Sequence, residues 1–345
     1  MGEFMFAVVK SHHGEGGVAL QQVPRPRAGV DSVIVEVHAA GVCGTDLHLL
    51  DDAYPSRPPV VLGHEVAGVV VEVGEDAEPS LLGARVACET HHQACDCTWC
   101  RSGRRNLCDN KTSMGSFVDG GFAQFVRVPS HLVHRIPDTL SLQEAALCEP
   151  LACATHLLLD PPIVNAGDRV LVTGPGPMGL LLAQVARSAG AIVTLSGLAG
   201  DAGRLVIASS MGFTVSQGSA ATDYDVVLEC SGTAGGARAA LEAVRKGGRY
   251  VSVGIHGRDV SIPFDLVLYK ELTVTSGFAA TSESWRRAMS LLSRGLIDLA
   301  PMISSVWSLR HWDEVIDSLR TGQGMKILFD PRLDDAAGES GADAQ

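Results

Sequence analysis

Residues 168–191 read DRVLVTGPGPMGLLLAQVARSAGA, and three features follow one another there. The apolar run at 170–172 reads as a strand, a glycine turn comes next, and the apolar stretch at 180–186 reads as a helix. The turn, GPGPMG at 174–179, fits G-x-G-x-x-G. Between a strand and a helix, that pattern is a dinucleotide-binding fingerprint. Gly174 permits the tight turn, Gly176 lets a pyrophosphate approach the backbone, and Gly179 lets helix and strand pack closely. Pro177 and Met178 fall at the helix start, whose positive end faces the phosphates. The plainer alternative is a glycine-rich turn that holds nothing. Further strand candidates follow at IVTLSG, YDVVLECSG, RYVSVG and LTVTSG, with helical stretches between them. Strand alternating with helix predicts a parallel sheet with crossover helices.

Upstream the rhythm differs. VIVEVHAAGV (33–42), VAGVVVEV (66–73) and FAQFVRVP (122–129) are short strand-like runs separated by Gly, Pro and Asp, which predicts a β-rich domain over about 1–150. Downstream, SWRRAMSLLSRGLID and HWDEVIDSLRTG read as helices and MKILFDP as a closing strand, so 290–345 is expected to complete the first domain and leave 151–289 as the second. The 345 residues are long enough for two cores. With 46% hydrophobic and 19% charged residues the composition is globular. A net charge of −12 disfavours nucleic acid or an anionic membrane as a partner. No apolar run is long enough to span a bilayer, and the N-terminus lacks the pattern of a secretory signal. A cytoplasmic protein is expected.

That expectation bears on HHQACDCTWCRSGRRNLCDN (91–110), where four of the nine cysteines cluster. In a reducing compartment clustered cysteines read as metal ligands before disulfides. Cys43 in GVCGTDLH (41–48) and His64 in GHEVAGVVVEVGEDA (63–77) are sensible zinc ligands if a β fold joins them. Glu65 and Glu149 are candidate carboxylate ligands or supports of the ligands. Alone, each has a plainer reading as a packed or solvated residue.

Taken together, GVCGTDLH, GHE with Gly68 and Gly74, CRSGRRNLC, DGGFAQFVRVP, CEPLACATH and GPGPMG resemble the zinc-dependent medium-chain dehydrogenases/reductases over about residues 6–331. The resemblance implies an α/β chain with a GroES-like β-rich catalytic domain plus a Rossmann doubly wound parallel-sheet domain. CEP places Glu149 where the alcohol-oxidising branch has a second Cys ligand, which resembles the polyol (sorbitol-type) and threonine dehydrogenase branch. The family pattern therefore implies Cys43, His64 and a glutamate, Glu65 or Glu149, around a catalytic zinc. It also implies a structural zinc in the four-cysteine loop. Cys97, Cys100 and Cys108 fit the family spacing, but the first ligand slot is Ala94 and the nearest cysteine, Cys95, stands one residue late. A one-residue slip moves a sulfur by up to roughly 3.5 Å, beyond zinc–sulfur tolerance. Cys95 is the expected fourth ligand, with His92 as the alternative or an empty site.

The resemblance also implies that Thr45 hydrogen-bonds the reacting oxygen, that His48 passes the proton through the cofactor ribose to solvent, and that Asp46 orients the ligands. The cofactor would lie across the cleft between the domains. NAD-binding relatives carry an acid after the second strand, a place that falls on Gly197 here, and Arg204 follows. The chain is thus expected to use NAD(P), leaning to NADP; Arg204 as a solvated helix charge and Asp201 as an N-cap are the alternatives. His91 and its neighbour His92 either line the substrate pocket, as the histidine matching His91 does in threonine dehydrogenases, or sit exposed on the loop. His156 is expected to be packed or hydrogen-bonded. The expected function is hydride transfer between NAD(P) and a secondary alcohol of a polyol, sugar or amino-polyol, with a small-molecule alcohol or ketone as partner and a homo-oligomeric assembly. The alternatives are L-threonine 3-dehydrogenase and a non-catalytic dinucleotide-binding protein.

Overall fold

A computed structural model describes residues 3–92, 95–218, 221–322 and 324–333. The chain forms two compact units, one running to Glu149 and resuming at Ile303, the other spanning Pro150–Met302.

In the first unit, β1 (Phe4–Lys10) and β2 (Val18–Pro24) form a hairpin-like pair, and β3 (Ser32–Gly41) starts the main sheet. A short helix, α1 (Gly44–Leu50), and the two-residue β4 (Val60–Val61) lead to β5 (Glu65–Val73) and β6 (Arg85–Cys88). The helical turn α2 (Thr98–Arg101) lies in the cysteine loop, and β7 (Phe125–Pro129), β8 (Val133–Arg135) and α3 (Leu142–Ala145) follow it. The strand predicted from residue 122 begins at Phe125. Residues 122–124 are used otherwise: the Phe122 carbonyl takes the Val8 N–H and the Gln124 carbonyl takes the Val37 N–H.

Helix α4 (Cys148–Leu159) leads into the second unit. There β9 (Arg169–Thr173), α5 (Pro177–Ser188), β10 (Ile192–Gly197), α6 (Ala202–Ser210), β11 (Thr214–Gln217), β12 (Tyr224–Glu229), α7 (Ala234–Ala243), β13 (Val244–Ser252), α8 (Asp265–Tyr269) and β14 (Thr273–Ser276) follow in order. The six strands are parallel, in the order β11-β10-β9-β12-β13-β14. Counted from β9 this is 3-2-1-4-5-6, the doubly wound dinucleotide-binding order, whose switch point lies between β9 and β12. The return to the first unit, expected near residue 290, comes at Ile303. The reason is α9 (Ser282–Ser293) and the segment after it, which are tied into the second unit. Arg287 bonds the Leu159 carbonyl, and buried Gln184 on α5 accepts the Asp298 N–H at 2.8 Å and reaches Met302 Sδ at 3.7 Å.

The chain then closes the first unit with β15 (Ile303–Trp307), α10 (Trp312–Arg320) and β16 (Lys326–Phe329). The main sheet runs β15-β16-β3-β5-β6-β8. One edge of β3 is shared, β7 taking its first half and β16 its last two residues. Its core, which includes Val35, Val66, Val86, Phe122 and Phe329, is apolar and buried. Among the described residues no helix is long and apolar enough to cross a membrane.

Candidate active site

The register of β3 against β5 builds the first site. Gly41 stands opposite Glu65, so Cys43, two residues past the end of β3, meets His64 and Glu65 at the start of β5. The turn at Gly63 makes this possible: its φ is +90°, and a Cβ there would run into the Phe122 ring. Gly41 is needed for another reason, since a Cβ on it would occupy the place of the Glu65 carboxylate. Ligand atoms of Cys43, His64 and Glu65 all lie within 4.8 Å of one another. A thiolate, an imidazole and a carboxylate, with His64 and Glu65 buried, are a donor set suited to zinc. Glu149 does not belong to that group. It is buried, and its Oε1 accepts from Thr90 Oγ1 at 3.0 Å, while the same hydroxyl lies 3.5 Å from the His64 carbonyl.

Cys43 is also the N-cap of α1, and Asp46 reaches back to it, Oδ2 accepting the Cys43 N–H at 2.8 Å. The other oxygen lies 3.5 Å from His64 Nδ1. Burial works against a charge on His64, but the Asp46 carboxylate and Cys43 outweigh it and raise its pKa well above the usual value. Thr45 Oγ1 lies 3.7 Å from Cys43 Sγ. His48 is half-buried and three residues further along α1, on the same helix face.

Lys326 is the residue that sequence reasoning missed. It is buried, and its Nζ donates to Glu65 Oε1 at 2.6 Å and to the Val42 carbonyl at 3.1 Å. Burial disfavours its charge, yet Glu65, Cys43 and Asp46 around it raise its pKa above the ordinary value. The signal available was a lone cation inside the apolar strand MKILF.

The cysteine loop gathers its four sulfurs. Cys95, Cys97, Cys100 and Cys108 lie within 4.8 Å of one another, with Cys95 Sγ 3.5 Å and Cys97 Sγ 3.8 Å from Cys108 Sγ. The edge of a zinc–sulfur tetrahedron is about 3.8 Å. Cys95 therefore reaches the group from its late position, and His92 is not part of it; Ala94 lies outside the described residues. Cys97 is pulled down to about 7, chiefly by the Cys100 N–H. His91 is buried, not exposed, with Nδ1 3.0 Å from Ser113 Oγ, and burial pushes it down to about 4. His156 pairs with Asp160 at 3.3 Å on α4.

In the second unit the glycine turn sits between β9 and α5. Gly174 has φ +92°, and a Cβ there would come within 2.8 Å of the Ser231 backbone N. A Cβ on Gly179 would run into the Gly174 carbonyl. Gly176 differs: a Cβ on it would find only Arg204 Nη1, at 3.8 Å. That opening at the start of α5, headed by Pro177 and Met178, fits a diphosphate. Gly197 ends β10, and Asp201 caps the following turn by accepting the Leu198 N–H at 2.9 Å.

A GroES-like β unit with a thiolate–imidazole–carboxylate group, joined in one chain to a 3-2-1-4-5-6 sheet with an open glycine turn, defines a metal- and dinucleotide-dependent oxidoreductase. Comparisons with known proteins agree. Residues 29–138 match the alcohol dehydrogenase GroES-like domain and residues 177–294 the zinc-binding dehydrogenase domain. The chain is similar to a sorbitol dehydrogenase of Halalkalibacterium halodurans, with 35% identity covering 95% of this chain and 99% of that one. An L-threonine 3-dehydrogenase of Pectobacterium atrosepticum is 32% identical over 91% of both. Among solved structures, a zinc-binding dehydrogenase from Sinorhizobium meliloti bound to NADP superposes with a TM-score of 0.87 at 35% identity, covering 95% and 99% of the two chains. The chain belongs to the zinc-dependent medium-chain dehydrogenase/reductase family.

Proposed function

We propose that the protein oxidises a secondary alcohol of a polyol, sugar or amino-polyol with NADP⁺, and reduces the matching ketone in reverse. The observation that carries this reading is the Cys43–His64–Glu65 group, its His64 and Glu65 buried, with the Thr45 hydroxyl beside Cys43. When bound, a zinc ion on that group supplies a Lewis acid for the alcohol oxygen, and the dinucleotide supplies the hydride acceptor. The chain's own side chains do the rest. Thr45 Oγ1 holds the alcohol's proton, and His48, one turn along α1, exchanges that proton with solvent. Asp46 fixes the Cys43 loop and the His64 ring together. Lys326 balances the Glu65 carboxylate. Glu149, held by Thr90, offers a buried carboxylate for substrate hydroxyls.

The lean to NADP⁺ rests on three features: Gly197 in place of an acid at the end of β10, Asp201 already engaged as a cap, and Arg204 beside Gly176. The four-sulfur group is read as a structural zinc site. None of the nine cysteines is in a disulfide, which suits a reducing compartment such as the cytoplasm. A second copy of the chain is the expected partner, because β14 is an edge strand with exposed apolar residues on and near it. Oxidation of L-threonine is the second reading, favoured by the relative of that name and by the placement of His91 against Ser113.

The test is Cys43→Ser, assayed by nicotinamide absorbance with polyols, sugars and threonine. Turnover should fall to background while dinucleotide affinity stays as in the parent. Retained turnover in the variant would remove the basis of the reading, and turnover by the parent on threonine alone would select the second one.

A further inference from the structure

Glu229 is the last residue of β12, and it is completely buried. No cation pairs with it among the described residues. Burying a carboxylate without a counter-ion is costly unless hydrogen bonds hold it. Here one oxygen takes them. Oε1 accepts the Ser231 N–H at 2.9 Å, the Gly232 N–H at 3.2 Å and the Ser231 hydroxyl. It also lies at the first turn of α7, 3.0 Å from where a Cβ on Gly236 would sit, and the positive end of the helix favours a negative charge there. Oε2 is buried with no hydrogen-bond partner and faces Gly254, 3.1 Å from where a Cβ would sit on that residue. The backbone carbonyl of Glu229 accepts the Val253 and Gly254 N–H groups, each at 2.9 Å. One residue thus holds the segment after β12 against the segment after β13.

Those two segments leave no space between them. A Cβ on Gly254 would lie 2.2 Å from the Gly232 nitrogen, and one on Gly232, whose φ is +63°, would lie 2.7 Å from the Ile255 carbonyl oxygen. The glycine turn closes on the same place, since Gly174 abuts Ser231 and the Cys230 N–H bonds the Thr173 carbonyl at 2.8 Å. Position in the sheet says what the two segments serve. They leave the C-terminal ends of β12 and β13, beside the switch point between β9 and β12. In this strand order the two sides of the switch point are two mononucleotide-binding halves. The adenosine ribose is read at the end of the second strand, which is β10 here, so the β9–β10–β11 half takes the adenosine. The β12–β13–β14 half is left for the nicotinamide.

We infer that Glu229 is a positioning residue for the nicotinamide half of the dinucleotide: its carboxylate and its carbonyl fasten the 230–233 segment to the 253–255 segment, and the joined pair gives that half its surface. Glu229 acts through those segments, being itself out of reach of a ligand. The inference rests on the dinucleotide reading above but not on the choice between NAD⁺ and NADP⁺.

The test is calorimetric titration of the full-length, metal-loaded protein with NADP⁺ and with its adenosine-side fragment 2′,5′-ADP, or with NAD⁺ and 5′-AMP if the parent prefers NAD⁺. Glu229→Leu should weaken the dinucleotide roughly tenfold or more and leave the fragment within about twofold of the parent. Gly254→Ala, which pries the two segments apart without removing the carboxylate, should reproduce that selective loss, and it decides the matter if Glu229→Leu does not fold. Dinucleotide affinity equal to the parent's in the folded variants overturns the inference. So does a fragment affinity that falls by the same factor as the dinucleotide's, because that marks general damage to the second unit. A parent that binds neither dinucleotide nor fragment is a different result: it removes the reading on which the inference rests, and the inference with it.

Discussion

At the scale of single residues, the charges around Glu65 govern the first site. The Cys43 thiolate and the Glu65 and Asp46 carboxylates are three negative charges in one buried place; Lys326 and a divalent ion supply three positive ones. Removing Lys326 leaves a buried carboxylate uncompensated, a change that costs roughly 3–5 kcal/mol. A bound cation offsets part of that cost. Lys326→Met should therefore lower the melting temperature of the chelated protein far more than that of the zinc-loaded one, so the gain in melting temperature on adding zinc should exceed that of the parent. Equal gains in both proteins would mean that Lys326 does not act on Glu65 as its counter-ion. That Cys43 and His64 meet was legible in the sequence because motif order carries it. Lys326 was not, since only the pairing of β16 with the end of β3 brings residues so far apart in the chain together. Sequence likewise left Glu65 and Glu149 undecided. The register that sets Glu65 over Gly41 separates them, and it is a property of two strands, not of either motif.

At the scale of elements, the strand–turn–helix read from GPGPMG and the strands after it were legible because apolar runs and glycine punctuation carry them directly. The late Cys95 could not be placed that way. Its sulfur position depends on how the loop before α2 folds, and spacing arithmetic assumes an extended chain. The turn joining β10 to α6 carries the preference between cofactors. A Cβ on Gly197 would lie 2.9 Å from both the Pro175 side chain and Asp201 Cβ, so Gly197→Asp would test crowding as much as charge. Arg204 is the cleaner probe. Its Nη1 is 3.8 Å from Asp201 Oδ1 and beside Gly176, and the side chain is about one-quarter exposed. A hydrogen bond to a charged group is worth about 1.5–3 kcal/mol. Arg204→Gln should therefore weaken NADP⁺ by roughly ten- to a hundredfold and leave NAD⁺ nearly unchanged. The measurement is the ratio of the two dissociation constants, and a ratio equal to the parent's would contradict the assignment of Arg204 to the 2′-phosphate.

At the scale of the whole molecule, the question is what covers the free edge of the parallel sheet. β14 pairs with β13 on one side, and among the described strands none pairs with the other. Val274 on this strand is exposed, and Phe264, Leu268 and Tyr269 on and beside α8 are 63%, 74% and 70% exposed. An unpaired edge with apolar neighbours is a liability for a chain that stays alone. A two-fold partner would answer it, because a two-fold axis beside β14 would present the same edge antiparallel to itself and bury the same apolar patch twice. The net charge of −12 opposes close approach of two copies, so the contact must be apolar and local to prevail. Leu268→Glu with Tyr269→Glu places two acids in that patch without touching the core of either unit. Light scattering after size exclusion should then report a dimer or larger for the parent and a smaller assembly for the double variant. Dinucleotide affinity serves as the check on folding. A monomeric parent, or a variant whose mass equals the parent's, would show that the β14 edge is not where copies of this chain meet.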